Sequence, residues 1–489
     1  MPLTKRGDTV MRRRVLMVIV AIALLCCVFG ALVACESYKA TPISPVGDKD
    51  AVVESNGGLV VKQGNYLYFV NGYSGYLTEN GEDNWFGNVT KGAIVRATIN
   101  EGGSLSDYVV VVPKSVMADS EDIGFSIFGE YIYYVSPSAD EDRNSGSVKT
   151  STLQFLRTKI DGTGTQLILT LDNTSVRYKY TSAALFIYDT TDSENKILYA
   201  KDLTKNKFKK KDMGTVIAEK VTSVSFPKNE TYDPKKGVTA ADYVFYTKAT
   251  EDQYDSNNIL YVASPDGSVN KEVIGENSYG DKKYSLSFVS SAVTNDKVAL
   301  YYTKTSYVAM SSTSQVEGTF GYSFDATFTF NKDNEKKLTS ESLSSVYAVG
   351  FDGLLVYGSD KNTVLYKTDG TQQFYGELKM NTFIAMDDTY FYYLNGDSKL
   401  LRFAKSDDQN ACYAYDGDKK FMTSFTGVER FGNYLYGIID DDYDYVYRLD
   451  LTTISATDIT AAKLERIGIV TEADDEKMKE EEKSSDSDK

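Results

Sequence analysis

The chain has 489 residues, with 53 basic and 69 acidic side chains, no histidine, four cysteines, 38 tyrosines and one tryptophan. The absence of histidine excludes every mechanism that needs an imidazole base and the usual zinc and non-haem iron ligand sets. A formal charge of −16 repels polyanions, so no nucleic-acid partner is expected, because a phosphate-binding surface needs a basic patch to release counterions.

In chain order, the first feature is a basic stretch, Lys5, Arg6, Arg12, Arg13 and Arg14 against the single acid Asp8. The apolar run Val15–Ala34 follows, and it closes on Leu32-Val33-Ala34-Cys35. Small residues beside a cleavage point let a signal peptidase approach the backbone, and the cysteine thiol can carry a lipid. This pattern resembles the lipobox of the bacterial lipoprotein signal family. The resemblance implies diacylglycerol on Cys35, cleavage just before it and acylation of the new amino terminus. It also implies an extracytoplasmic address at the cell membrane, with the bilayer as a partner through the anchor. Two or more acyl chains hold stably, each buried methylene being worth about 0.8 kcal/mol. The rival reading is an uncleaved transmembrane helix, since the run is long enough for roughly 30 Å of hydrocarbon. In both readings the positive flank stays in the cytoplasm. Loss of residues 1–34 removes five basic side chains and one acidic one, leaving 48 against 68 and a formal charge of −20.

Cys26 and Cys27 lie in the apolar run and Cys35 takes the lipid, so Cys412 is left without a partner for an intrachain bridge. Burial, not disulfides, is expected to hold the folded part. Residues 35–51, with Pro42, Pro45 and Gly47, read as the lipidated cysteine and a tether that holds the domain off the bilayer.

From Val52 short apolar and aromatic strands alternate with Gly, Asn and Asp turns, and an all-β domain is predicted over 52–470. Aromatic strands recur eight times, at Tyr66–Val70, Tyr131–Val135, Leu185–Tyr188, Tyr243–Tyr246, Val298–Tyr302, Leu354–Tyr357, Tyr390–Tyr393 and Tyr434–Tyr436, at intervals of 36 to 65 residues. A second strand follows in most units, such as Ala93-Ile94-Val95-Arg96, Leu156-Arg157-Thr158-Lys159, Leu400-Leu401-Arg402-Phe403 and Tyr445-Val446-Tyr447-Arg448; the fifth unit lacks a clean copy. Apolar strands before the aromatic one (Gly58–Val61, Val221–Phe226) and after an Asp-Gly turn (Gln166–Leu169) complete the unit. Four strands repeated about eight times predict a β-propeller, with seven blades as the other count. Sheets with apolar residues on both faces must cover both, and radial stacking does so.

These aromatic quartets, and the later Leu-Tyr-Arg or Leu-Tyr-Lys followed by Asp-Gly, clearest in units two, four, six and eight, resemble the YIYY-type propeller repeats of bacterial lipoproteins, relatives in pattern of the YWTD and TolB-like propellers. Insertions near 71–92, 137–150 and 228–240 depart from the pattern. Ile467–Val470 is expected to pair with the first blade and fasten the ring. Residues 471–489, rich in Asp, Glu, Lys and Ser, are expected to form a disordered acidic tail.

Candidate chemistry is sparse. Gly72-Tyr73-Ser74-Gly75 comes nearest to a nucleophile elbow, but Tyr76 stands where the final glycine belongs and no histidine serves the serine. Asp140, Glu141 and Asp142, and Asp440, Asp441, Asp442 and Asp444, offer hard oxygen ligands. Neither group has the spacing of a calcium loop, so they read as solvated hairpin tips and no metal or other cofactor is assigned. Lys201, Lys205, Lys207, Lys209, Lys210 and Lys211 form one basic run around Phe208, read as a solvated loop with anionic wall polymer or lipid headgroups as the functional alternative. The tyrosine ladders read as inter-blade core, with sugar stacking as the alternative.

The expected function is a non-enzymatic binding or scaffolding module of the cell envelope, whose partner is a protein or cell-wall polymer at the loop-rich rim or central channel. A carboxylate-dependent carbohydrate hydrolase and a sensor subunit of a membrane complex are the alternatives. The designated site is Cys35 for lipidation, with no catalytic residue.

Overall fold

The computed structural model describes residues 42–72, 85–86, 89–90, 92–114, 116, 124–139, 148–172, 176–227, 231–250, 257–280, 282–294, 297–307, 314–325, 327–343, 346–350, 352–358, 360–397, 399–405, 411–413, 428–439, 442–454 and 464–469. The signal segment, Cys35 and the acidic tail lie outside these residues.

The protein is an eight-bladed β-propeller of antiparallel four-stranded blades. Blade 1 is Val60–Gln63, Tyr66–Asn71, Ala93–Ile99 and Leu105–Val112. Blade 2 is Ser126–Phe128, Tyr131–Ala139, Val148–Lys159 and Gln166–Leu171. Blade 3 is Val176–Tyr180, Ala184–Asp189, Ile197–Asp202 and Thr215–Ala218. Blade 4 is Val221–Ser225, Val244–Ala249, Asn258–Ala263 and Asn270–Ile274. Blade 5 is Tyr284–Thr294, Lys297–Tyr307, Ser314–Phe324 and Lys336–Thr339. Blade 6 is Val346–Val349, Gly353–Tyr357, Thr363–Lys367 and Gln372–Phe374. Blade 7 is Thr382–Met386, Tyr390–Leu394, Leu400–Ala404 and Ala411–Tyr413. Blade 8 is Val428–Phe431, Tyr434–Ile439, Asp442–Asp450 and Leu464–Ile467.

Every predicted aromatic strand is the second strand of a blade, and the reason is burial on both faces. Leu67, Tyr68 and Phe69 are consecutive and all buried, as are Leu300, Tyr301 and Tyr302, so the alternation of a half-exposed sheet is replaced by a continuous apolar run. Fourth strands lie at the perimeter, and that of blade 6, Gln372-Gln373-Phe374, is exposed throughout. Apolar clusters fill each junction in turn around the ring. One joins blades 8, 1 and 2 through Tyr436, Phe69 and Ile132, and others join blades 2 and 3, 3 and 4, 4 and 5, 5 and 6, 6 and 7, and 7 and 8. The ring is therefore closed, which settles the count at eight.

The fifth blade has all four strands although its third lacks the motif. Gly318 in that strand has a φ of 133°, and a Cβ there would lie 2.1 Å from the Thr339 carbonyl oxygen. Close approach of the fourth strand at this point replaced the usual side chain with glycine.

Two expectations are corrected. Leu464–Ile467 pairs with the third strand of its own blade, Val446 opposite Ile467, and does not add to blade 1. Each blade is supplied in full by consecutive chain, so the last strand has its place at the edge of blade 8. Blade 1 is met by contact and not by strand pairing: Ile467 joins the apolar cluster around Phe69, and the Ile469 N–H donates to Asn71 Oδ1 at 3.3 Å. The described part of the expected tether, residues 42–51, is instead a strap docked on the propeller. The Ile43 N–H donates to the Asp161 carbonyl at 2.9 Å, and Arg96 Nη1 donates to the Pro45 carbonyl at 2.8 Å. Gly47 is buried against Tyr68, where a Cβ would meet the hydroxyl at 2.7 Å.

Candidate functional site

Antiparallel blades sort their connections onto two faces. The turns between strands 1 and 2 and between strands 3 and 4 lie on one, called here the turn face. The 2–3 hairpins and the blade-to-blade crossovers lie on the other. The strap meets the turn face, because Asp161 follows the third strand of blade 2.

Blades 1, 2, 7 and 8 share a clasp. Tyr68, Tyr133, Tyr392 and Tyr436 on second strands stand opposite Arg96, Arg157, Arg402 and Arg448 on third strands. Each guanidinium lies 4.3 to 4.6 Å from the ring centroid of the tyrosine two residues earlier, at 66, 131, 390 or 434. All four arginines are buried, and a cation over a desolvated ring is worth up to about 2 kcal/mol. Two of them also reach the next blade. Arg157 donates to the Leu203 and Lys205 carbonyls of blade 3 at 2.9 Å each, and Arg448 donates to the Gly103 carbonyl of blade 1 at 2.8 Å. In blade 1 the strap carbonyl of Pro45 takes that role.

A second repeat sits on the turn face. Asp161, Asp202, Asp325, Asp369 and Asp450 each accept from both the backbone N–H and the hydroxyl of the threonine two residues later. Asp266 does the same with Ser268. Asp-x-Thr or Asp-x-Ser thus closes the 3–4 turn in blades 2, 3, 4, 5, 6 and 8. Three of the six copies, at Asp161, Asp266 and Asp369, are the Asp-Gly turns expected from the sequence. At three of the six turns the donors favour the ionised carboxyl: the Ser264 and Ser268 hydroxyls pull Asp266 down to about 2, and Thr327 and Thr371 lower Asp325 and Asp369. A depressed native pKa contributes stability above the unfolded value of about 3.9, lost as pH falls through the native value. The difference in Tm between the wild type and Asp266→Asn should therefore be full at neutral pH and shrink between about pH 4 and pH 2. A difference that stays constant down to pH 2 would refute this role.

The central channel is crossed. Blade 1 carries an extra strand on its inner edge, Val53–Glu54, and Thr231–Tyr232 pairs with that strand. Thr231–Tyr232 belongs to the insertion between the first two strands of blade 4, which is not adjacent to blade 1, so this chain must pass over the axis. Tyr232 packs edge-on against Phe128 of blade 2, centroids 5.0 Å apart. On the way back Asp242 accepts from the Ser182 N–H of blade 3 at 3.3 Å and from Thr239 N–H at 2.7 Å. Two crevices of about 20 and 10 Å³ flank this plug near Ser126, Lys179 and Tyr180, each with room for about one water. The insertion was visible in the sequence, but its partner strand, some 180 residues away, was not.

The basic run divides. Lys201 is in the third strand of blade 3 and buried, where its ammonium donates to the Lys209 and Asp212 carbonyls; burial pushes its pKa down. Lys205, Lys207, Lys209, Lys210 and Lys211 are exposed on the 3–4 loop, on the turn face. Phe208 lies under Arg157 at 4.8 Å, and the Thr170 N–H of blade 2 donates to the Lys210 carbonyl at 2.9 Å.

Other sequence candidates are not assembled into a site. Ser74, Asp140, Glu141, Asp142, Asp440 and Asp441 lie outside the described residues, as does Cys35. Asp442 and Asp444 belong to the third strand of blade 8, not to a turn. Among the described residues no three acidic or cysteine side chains converge as metal ligands. The tyrosine ladders are core, with Tyr68, Tyr134, Tyr301 and Tyr302 almost wholly buried, which removes those rings from sugar stacking.

No protein-family profile matches the chain, and no curated protein matches it. Among solved structures, BamB from Moraxella catarrhalis is similar over 83% of this chain and 98% of that one, at 10% identity and a TM-score of 0.39. The uncharacterized protein lmo1340 from Listeria monocytogenes is similar over 70% and 92%, at 11% identity and a TM-score of 0.35. AztD from Citrobacter koseri is similar over 77% and 94%, at 10% identity and a TM-score of 0.35. The propeller assignment rests on strand order and ring closure, and these scores add nothing about activity.

Proposed function

We propose that this eight-bladed propeller is a non-catalytic binding or scaffolding module, tethered by lipid on Cys35 to the outer side of the cell membrane. The observation that carries the reading is the crossed axis. A plug that pairs with blade 1 and is bonded to blade 3 lays chain across the axis, so a partner engages loops on a face or the rim, where a rigid framework holds them. The apolar run ending in Leu32-Val33-Ala34-Cys35 supports the address. The partner class that fits is an envelope protein or a cell-wall polymer, and fixing a rigid disc at the membrane raises its effective concentration for such partners.

Fractionation of cells carrying Cys35→Ala tests the anchor. The expected result is release of the chain into the soluble fraction or accumulation of an unprocessed precursor. A variant that is still cut and still membrane-bound would refute the anchor. Crosslinking in intact cells, with probes on the crossover face, should capture a discrete partner; turnover of envelope glycans by the purified protein would overturn the non-catalytic reading.

A further inference from the structure

We infer that the 203–214 loop of blade 3 is a docking surface for anionic phospholipid headgroups, which tilts the acidic disc so that the blade 3 edge of its turn face meets the bilayer. The inference rests on the proposed Cys35 anchor for its geometry and deepens that reading by assigning an orientation.

Three independent observations converge. The first is where the chain enters the propeller. Ile43 is bonded to Asp161 on the turn face of blade 2, and Cys35 lies eight positions earlier, at most about 28 Å of extended chain. A lipid on Cys35 therefore keeps blade 2 close to the headgroups. The second is position. Arg157 of that same blade holds the Leu203 and Lys205 carbonyls on its blade 3 side, while Ile43 packs on its blade 1 side, so the lysine loop begins about one blade away from the strap's landing point, in a connection of the same face. The third is charge. Residues 201–214 contain six lysines and two aspartates, Asp202 and Asp212, in a chain with excess acid. Lys205 pairs with Asp202 at 3.5 Å, and Lys207, Lys209, Lys210 and Lys211 remain exposed. Lys235 and Lys236, exposed on the plug in the 1–2 connection of blade 4, add to the same face.

The loop is a fixed platform more than a flexible run. Its backbone is held by Lys201, Arg157 and the Thr170 N–H, and Phe208 is wedged beneath the Arg157 guanidinium. These contacts face inward, and the lysine ammonium groups are left to the outside. Each lysine at an anionic surface gains about five-fold in partition. The turn face also carries the aspartates that close its 3–4 turns, so the attraction is local to the lysine loop and the blade 3 edge of that face is drawn to the headgroups. Salt screens this attraction over about 10 Å at 0.1 M.

The test uses the full chain with phosphatidylcholine vesicles, with and without phosphatidylglycerol. Amine-reactive labelling of Lys207 and Lys209–Lys211 is compared with Lys361, which lies in the 2–3 hairpin of blade 6 on the opposite face. Roughly ten-fold protection of the loop lysines is expected in phosphatidylglycerol vesicles only, reversed by salt, with Lys361 unchanged. The variant K207E/K209E/K210E/K211E, whose exposed positions tolerate acid without refolding the blade, should lose the difference between vesicle types. Equal labelling in both vesicles would overturn the inference, and so would protection by soluble polyphosphate without protection by vesicles. Vesicle flotation reports the anchor separately. A chain that floats with neutral vesicles yet shows no loop protection keeps the anchor and loses the orientation; one that binds only phosphatidylglycerol vesicles through the loop does the reverse.

Discussion

Replacing Glu335 by alanine is expected to destabilise the protein by about 3–5 kcal/mol, because it strands a buried cation. Glu335 and Lys304 are each 7% exposed and their charged atoms are 2.6 Å apart. The other carboxylate oxygen accepts from Tyr279 at 2.7 Å and from Tyr302 at 2.5 Å. The Lys304 ammonium is surrounded by rings, 3.7 Å from Phe320, 4.2 Å from Tyr279 and 5.1 Å from Tyr284. Burial lowers the Lys304 pKa and the carboxylate opposes that shift; burial followed by the same carboxylate raises Tyr279, and burial, then Tyr279, then the carboxylate raise Tyr302. Without Glu335 the ammonium keeps its rings but loses its counter-charge, and two buried hydroxyls lose their acceptor. Urea denaturation checks the loss, with Glu335→Gln expected between wild type and alanine because it retains an acceptor. Lys304→Met combined with Glu335→Leu, with Tyr279→Phe and Tyr302→Phe so that no hydroxyl is left without its acceptor, should recover most of the deficit, since an apolar cluster of similar volume carries no desolvation cost. A Glu335→Ala protein within 1 kcal/mol of the wild type would rule out this account.

Glu429→Ala is expected to cost about 2–4 kcal/mol and to act at the one junction that joins the two ends of the ring. Glu429 is on the first strand of blade 8. Its carboxylate accepts from the Leu59 and Val60 N–H groups at 2.8 and 3.2 Å, at the start of the first strand of blade 1, and from the Ser55 hydroxyl. No strand is shared across this seam, so side-chain bonds and the apolar cluster around Tyr436 and Phe69 hold it. Arg448, which stacks on Tyr434 and reaches the Gly103 carbonyl, is the second tie. Loss of Glu429 leaves two amide donors without their acceptor where the chain ends meet. The urea midpoint should fall, and proteolysis near residues 52–59 should speed up before cleavage elsewhere. Arg448→Met should add to the loss by less than its own single effect if the two ties open together. Unchanged proteolysis at 52–59 in Glu429→Ala would show that the seam is held by packing instead.

Much of the fold was legible because each blade is built from consecutive chain. Tyr131-Ile132-Tyr133-Tyr134-Val135 and its counterparts are apolar at successive positions since both faces of a second strand are covered by neighbouring blades. Arg96, Arg157, Arg402 and Arg448 were visible at a fixed place after these strands, but their stacking on a tyrosine two residues before the paired one depends on register. The basic run was legible as composition only. That Lys201 is buried while Lys207 and Lys209–Lys211 face out depends on the strand ending at Asp202 and on Arg157 holding the loop that follows. For the site, Cys35 is a sequence reading throughout, carried by a local pattern that a processing enzyme would read before folding.

What the sequence by itself determined is therefore the blade: its four strands, its aromatic second strand, its aspartate-closed turn and the number of repeats to within one. These follow from interactions within about 60 residues, where period, turn chemistry and burial leave a local signature. Tertiary structure decided the closed count of eight, the strap over Tyr68, the Glu429 seam and the chain that crosses the axis to pair with Val53–Glu54. Each joins residues far apart in the chain through one or two hydrogen bonds and a shared apolar contact, and such contacts impose no periodicity on either partner's sequence. The strap and the lysine loop share the turn face because both are tied to blade 2, the strap through Asp161 and the loop through Arg157.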